Sequence, residues 1–92
     1  MTSKQRAELR AAANGLPTIL QVGKLGLSDT LLTQLDNALT ARELVKGQVL
    51  ENAPLSAREA AQQLAEQSGS DVVQVIGARF VLYRLNPEKH KE

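Results

Sequence analysis

A chain of 92 residues with a formal net charge of +1 makes one small domain, of a size that buries roughly 60–65% of the surface its unfolded form exposes. Cysteine is absent, which excludes disulfides, thiolate metal sites and cysteine nucleophiles. With Phe80 and Tyr83 the only aromatics, leucine, valine and alanine must build the core.

No apolar run approaches the length of a membrane span, and the start "MTSKQRAELR" lacks a secretory apolar region. A cytoplasmic protein with no membrane partner is the expectation. Residues 1–50 hold six basic residues against four acidic ones, and residues 51–84 hold three against four. Any basic surface is therefore a local patch, and net charge alone does not point to nucleic acid.

Along the chain, Thr2 and Gln5 have the spacing of a capping box. Leu9, Ala12, Ala13 and Leu16 follow at helical intervals, and Asn14-Gly15 offers a left-handed stop. Arg6 and Arg10, four apart, share one side of this helix. After Pro17, "TILQV" (18–22) reads as a short strand. Ser28 is the next N-cap, with Leu27 and Leu32 at the hydrophobic-staple positions. Leu31, Leu35, Ala38 and Leu39 give the helix that follows a clear apolar face.

"ELVKGQVLE" (43–51) alternates as a strand, with Val45, Gly47 and Val49 on one side and Lys46 and Gln48 on the other. Ser56 and Glu59 form a capping box for a helix whose stripe is Ala57, Ala60, Ala61, Leu64 and Ala65, ending near Ser68-Gly69. "DVVQVIGARFVLYRL" (71–85) reads as two strands folded back at Gly77-Ala78. The order α-β-α-β-α-β-β predicts an α/β domain over residues 1–85, two-layered, with helices on one face of the sheet. Residues 86–92 form a short charged tail.

The stretch "QVGKLGLSD" (21–29) carries the chemistry. A strand ending in Gly23-Lys24-Leu25-Gly26 and feeding a helix start brings together permissive backbone, unpaired helix amides and a mobile cation. Together they suit a phosphate of a nucleic-acid backbone. The same four residues also make an ordinary strand-to-helix turn, and Asp29 in the first helical turn opposes an incoming phosphate. The spacing is neither the GxxxxGK[ST] of a nucleotide P-loop nor the GxGxxG of a dinucleotide site.

Lys46, Arg79 and Arg84 lie in strands, where they face either solvent or RNA. Phe80 and Tyr83, three apart, point to opposite faces; one joins the core and the other is free to stack on a base. Without a pair of aromatics on one face, the expectation is shape and phosphate recognition over strict base readout. Arg42 and Arg58 are assigned to helix surfaces. His90, the one histidine, sits in the charged tail. Without cysteine or a spaced carboxylate cluster, no metal site or catalytic triad assembles, so neither an enzyme nor a cofactor is expected.

Four ordered motifs, "SKQRAELRAAANGL", "VGKLGLS", "ALTARELVKGQVL" and "VQVIGARFVLYR", run from Ser3 to Arg84. In them the chain resembles the CRM domain (chloroplast RNA splicing and ribosome maturation), in its bacterial stand-alone YhbY-like form. Two departures stand out. Asn14 replaces a common histidine, removing a polar contact near the loop, and Gly47 replaces a β-branched residue, softening that strand.

The resemblance implies a fold like the C-terminal domain of bacterial translation initiation factor three. Its helices pack on a mixed four-stranded sheet of order 1-2-4-3, the last strand antiparallel to the rest. It also implies a monomeric RNA-binding protein of ribosome assembly, whose partner is RNA of the large-subunit precursor and whose further partners are ribosomal proteins. Gly23, Lys24, Leu25 and Gly26 are then the RNA contact, with Arg6 and Arg10 flanking them on one surface. Two alternatives stay open. One is a K-homology domain, in which a GxxG loop joins two helices. The other is an adapter that docks on a ribosomal protein or assembly factor through a sheet edge or the alanine-rich helix.

Overall fold

Each helix begins on a hydroxyl that takes up an amide its first turn leaves unpaired. In the computed structural model, which describes residues 2–87, Thr2 Oγ1 accepts from Gln5 N at 3.1 Å, starting α1 (Ser3–Ala13). Ser28 Oγ accepts from Leu31 N at 3.2 Å, starting α2 (Asp29–Arg42). Ser56 Oγ accepts from Glu59 N at 3.2 Å, starting α3 (Ala57–Ser68). The return bond of a capping box, Ser56 N to Glu59 Oε1 at 3.3 Å, forms at α3. Among the described residues Gln5 supplies its backbone amide and no such return.

The helix ends differ from one another. Gly69, at φ 70°, closes α3 in the left-handed conformation its sequence announces. Asn14 does not: its φ is −58°, and α1 ends by tightening, with Gly15 N on Ala12 O at 3.4 Å and Leu16 N on Ala13 O at 3.0 Å. At the end of α2 the positive φ falls on Glu43, at 66°, a backbone region that disfavours side chains. Two tethers hold this corner. Glu43 Oε2 accepts from Asn86 N at 2.8 Å, and Asn86 Nδ2 donates to Thr40 O at 2.7 Å. Asn86, the first residue of the expected tail, is thereby fastened to α2.

The strands are β1 (Leu20–Val22), β2 (Leu44–Val49), β3 (Asp71–Ile76) and β4 (Arg79–Tyr83), in the sheet order β1-β2-β4-β3. β1 and β2 are parallel, with Leu20 beside Gly47, and β4 is antiparallel to both its neighbours. This is the mixed sheet that the family resemblance implies. β1 is shorter than "TILQV", because pairing in register begins at Leu20. Gly77, at φ 58°, turns β3 into β4 through a two-residue hairpin loop.

Alternation along the strands separates two faces. Val45 and Val49 of β2, Leu20 and Val22 of β1, and Phe80 and Leu82 of β4 pack beneath α2 and α3. From above, α2 contributes Leu31, Leu35 and Leu39, while α3 lays its stripe of Ala57, Ala60, Ala61, Leu64 and Ala65 onto the sheet. Those alanines are buried, so the stripe is core and not the docking surface an adapter would need.

The opposite face is not bare, as a two-layer reading expects. Leu9 and Ala13 of α1 cover Val73, Val81, Leu44 and Tyr83 there, which makes α1 a third layer. A bulge serves this face. Val72 pairs with Leu82 and Gln74 with Val81, leaving Val73 as an extra residue of β3 that enters the α1 cluster. Tyr83 lies half-buried in the same cluster, so it is packing for α1 and not an open stacking platform. Among the described residues, no helix is long and apolar enough to cross a membrane.

Candidate nucleic-acid interface

The chain leaves β1 at Val22, whose carbonyl is pinned by Leu50 N at 2.9 Å, and enters a tight turn. Gly26 N donates to Gly23 O at 2.9 Å, which puts Lys24 and Leu25 at the tip. Both tip residues are exposed, Leu25 at 81%. A strand before the loop excludes the K-homology alternative, whose loop joins two helices.

The two glycines have different reasons to be there. Gly26 has φ 65° and is buried, and a Cβ added to it would meet Pro54 Cγ at 3.2 Å. Folding therefore favours glycine at 26, on backbone and packing grounds together. Gly23 has no positive φ, and its added Cβ would meet Leu50 Cδ1 at an ordinary 3.8 Å. The fold makes no such demand at 23, beside the exposed lysine.

A cleft of about 310 Å³ opens beside the turn, lined by Gln21, Lys24, Ser28, Thr30 and Gln34 among others. Thr30 and Gln34, one turn apart on α2, are polar groups that the sequence motif does not reveal. Asp29 is exposed at the first position of α2. Its negative charge offsets the positive end of the helix dipole, so the group that favours an anion here is Lys24.

The other basic candidates are distributed by the sheet order. Arg6 lines a groove of about 280 Å³ at the β3 edge, together with Arg58 of α3 and residues 72–75. Lys24 leaves β1, the other edge. Three strand spacings of about 4.8 Å separate those edges, so Arg6 and Lys24 do not form the single patch their family roles suggest. Arg10 is exposed one turn further along α1. Lys46 and Arg79 come together with Asn14 around a cleft of about 120 Å³ at the end of α1. None of Arg6, Arg10, Lys24, Lys46 and Arg79 forms an ion pair among the described residues.

Arg84 differs from all of these. Its Nη1 donates to Asp36 Oδ1 at 2.7 Å and to Ser68 O at 2.8 Å, and its Nη2 to Asp36 O at 3.1 Å and Thr40 Oγ1 at 2.9 Å. The guanidinium is committed to α2 and α3, which removes it from the RNA-contact candidates. Asp36 is 62% exposed, so the ion pair itself contributes little, and the bonds to backbone carbonyls carry the tie. Arg84→Ala is expected to cost about 1–3 kcal/mol in chemical denaturation while leaving any RNA affinity of the folded protein intact. A loss of affinity without loss of stability would reverse this assignment.

Among the described residues, no group of three or more histidine, aspartate or glutamate side chains is placed to hold a metal. His90 lies outside the described residues.

The CRS1 / YhbY (CRM) domain family matches residues 1–84. The chain belongs to the CRM family. This CRM domain is 42% identical over 88 residues to Probable RNA-binding protein YqeI of Bacillus subtilis, covering 96% of this chain and 92% of the relative. It is 32% identical over 91 residues to Probable RNA-binding protein PA4753 of Pseudomonas aeruginosa, covering 99% and 88%. The solution structure of the Staphylococcus aureus protein SAV1595 superposes on the CRM domain with a TM-score of 0.78 at 40% identity, covering 92% of this chain and 88% of that one. The three layers and the mixed sheet are therefore a CRM fold.

Proposed function

We propose that this CRM domain binds RNA of the precursor large ribosomal subunit and acts in its assembly, gripping the phosphate backbone at the Gly23–Gly26 turn. The observation that carries the reading is the pairing of Lys24, exposed and without an ion pair, with Gly23, whose bareness the fold does not require. A ligand backbone that approaches closely explains a glycine there. Relatives named as RNA-binding proteins support RNA as that ligand. In this reading Arg10, Lys46 and Arg79 add further phosphate contacts, and Arg6 engages a more distant part of the RNA. Residues 1–85 act as one monomeric cytoplasmic unit, with no cofactor and no catalytic step.

Lys24→Ala tests the grip. The side chain is exposed, so folding stability should stay within about 0.5 kcal/mol. RNA affinity should fall by a similar factor across sequences. The slope of log affinity against log salt should drop by about one for duplex-like RNA and somewhat less for single strands. Gly26→Val is a poorer probe, because its positive φ and the nearby Pro54 make it a folding mutation first. A folded Lys24→Ala protein with unchanged affinity and slope would reduce the turn to a connection. Salt-insensitive binding to a ribosomal protein, with no RNA affinity, would favour the adapter.

A further inference from the structure

Among the described residues the sheet is open at the end next to the turn, on the face that carries α1. Register places Gln21 beside Gln48, Gln48 beside Arg79, and Arg79 beside Ile76. These four side chains form one row across all four strands. They point away from α2 and α3, because Leu20, Val22, Val49 and Phe80, their neighbours along the strands, are buried on that other side. Gln21 and Arg79 are exposed, Ile76 is 65% exposed and Gln48 is half-buried.

A second row, Lys46 beside Val81 and Val81 beside Gln74, leads to the foot of α1. There Asn14, Lys46, Gln74, Ile76 and Arg79 surround the 120 Å³ cleft, and no carboxylate lines it. None of the three glutamine amides has a hydrogen-bond partner among the described residues. Gln21, in the edge strand, also lines the cleft beside Lys24, so the row ends next to the turn.

Building on the RNA-binding reading above, we infer that this row is a base-reading extension of the turn, and that its ligand is single-stranded RNA laid across the end of the sheet. An amide offers both donors and an acceptor, the combination that pairs with exposed base edges. Ile76 provides an apolar contact for a base face, and Arg79 and Lys46 neutralise phosphates. Duplex RNA does not suit the row, because the sequence-bearing edges of an A-form helix lie in a groove too deep and narrow for side chains to read. A protein occupant does not suit it either, since a stable protein interface is built around a buried apolar centre and Ile76 is the one large exposed apolar side chain in the row.

The test uses the full chain and short oligonucleotides of A, C, G or U, with an RNA duplex for comparison. Gln21→Met and Gln48→Met together keep side-chain length and charge while deleting the amides. Wild type should prefer single strands to duplex and rank the four oligonucleotides over about tenfold or more. The methionine pair, with an unchanged melting curve, should compress that range severalfold and keep the wild-type salt slope, since no cation is lost. Lys24→Ala should weaken all four and keep their ranking.

Equal binding of the four oligonucleotides, tighter binding of duplex, or an unchanged range in the folded methionine pair would each overturn the base-reading row. If Lys24→Ala still lowers affinity and slope in any of those cases, the phosphate grip survives alone. A wild type that binds none of these RNAs would overturn both.

Discussion

Replacing Leu35 with alanine is expected to cost about 2–5 kcal/mol, through lost burial and the cavity left behind. Leu35 is fully buried at the centre of α2, on the stripe with Leu31 and Leu39 that meets the sheet. A domain of this size has a total stability of only about 5–15 kcal/mol, so the melting temperature should fall by about 10 °C or more. The neighbours cannot close the gap easily, because α3 holds the other half of the same layer. A measured loss below about 1 kcal/mol would mean that this side of α2 is not its packing side.

Gly47→Val should be comparably damaging, for the opposite reason. A Cβ at 47 would stand 2.5 Å from Cζ of Phe80 and 2.8 Å from its Cε2, which real atoms do not tolerate. Phe80 is 1% exposed and cannot swing out, and β2 is paired on both sides, so its backbone cannot retreat. Overpacking of this kind costs about 1–3 kcal/mol and sometimes more, which outweighs the better strand propensity of valine.

The second half of that prediction is a rescue. With Phe80→Leu added, the double variant should be more stable than the sum of the two single losses, and equilibrium unfolding of all four proteins measures the coupling. Simple additivity would mean the ring is not what excludes a side chain at 47. Glycine at 47 thus has a packing reason that the sequence alone does not show. The ring of Phe80 occupies the space that a β-branched residue would fill.

What could be read from the chain depends on how far each determinant reaches. Ser28 and the Ser56–Glu59 box announce their helices because a cap acts over three residues. The stripes of α2 and α3 and the alternation of β2 are equally local, and each holds. Arg84 is opaque because its partner Asp36 lies 48 residues away, and nothing in "LYRL" marks an arginine that points back at a helix. The placement of α1 is opaque for a different reason. Leu9 and Ala13 show that one side packs, but periodicity cannot say against which face of a sheet. The same gap hides the glutamine row, since Gln21, Gln48, Arg79 and Ile76 become neighbours only through strand order and register. The two glycines of the turn look alike in sequence, and they are told apart by a backbone angle and by Pro54, from a distant loop.

Among the described residues α1 is the one helix on its face of the sheet, and it is lightly held. Ala13 is the one buried residue of α1, helped by a half-buried Leu9. Lifting α1 uncovers the smaller of the two apolar clusters, Val73 and Val81 with Leu44 and Tyr83, and leaves the larger one under α2 and α3 intact. This layer is therefore expected to open before the rest unfolds. RNA on the sheet end would abut Asn14, the last turn of that helix. If RNA makes that contact only with α1 docked, the free energy that docks α1 and the free energy that binds RNA are linked. A ligand favouring the closed layer draws the population toward it, and a substitution that loosens α1 lowers affinity without removing a single contact to the ligand.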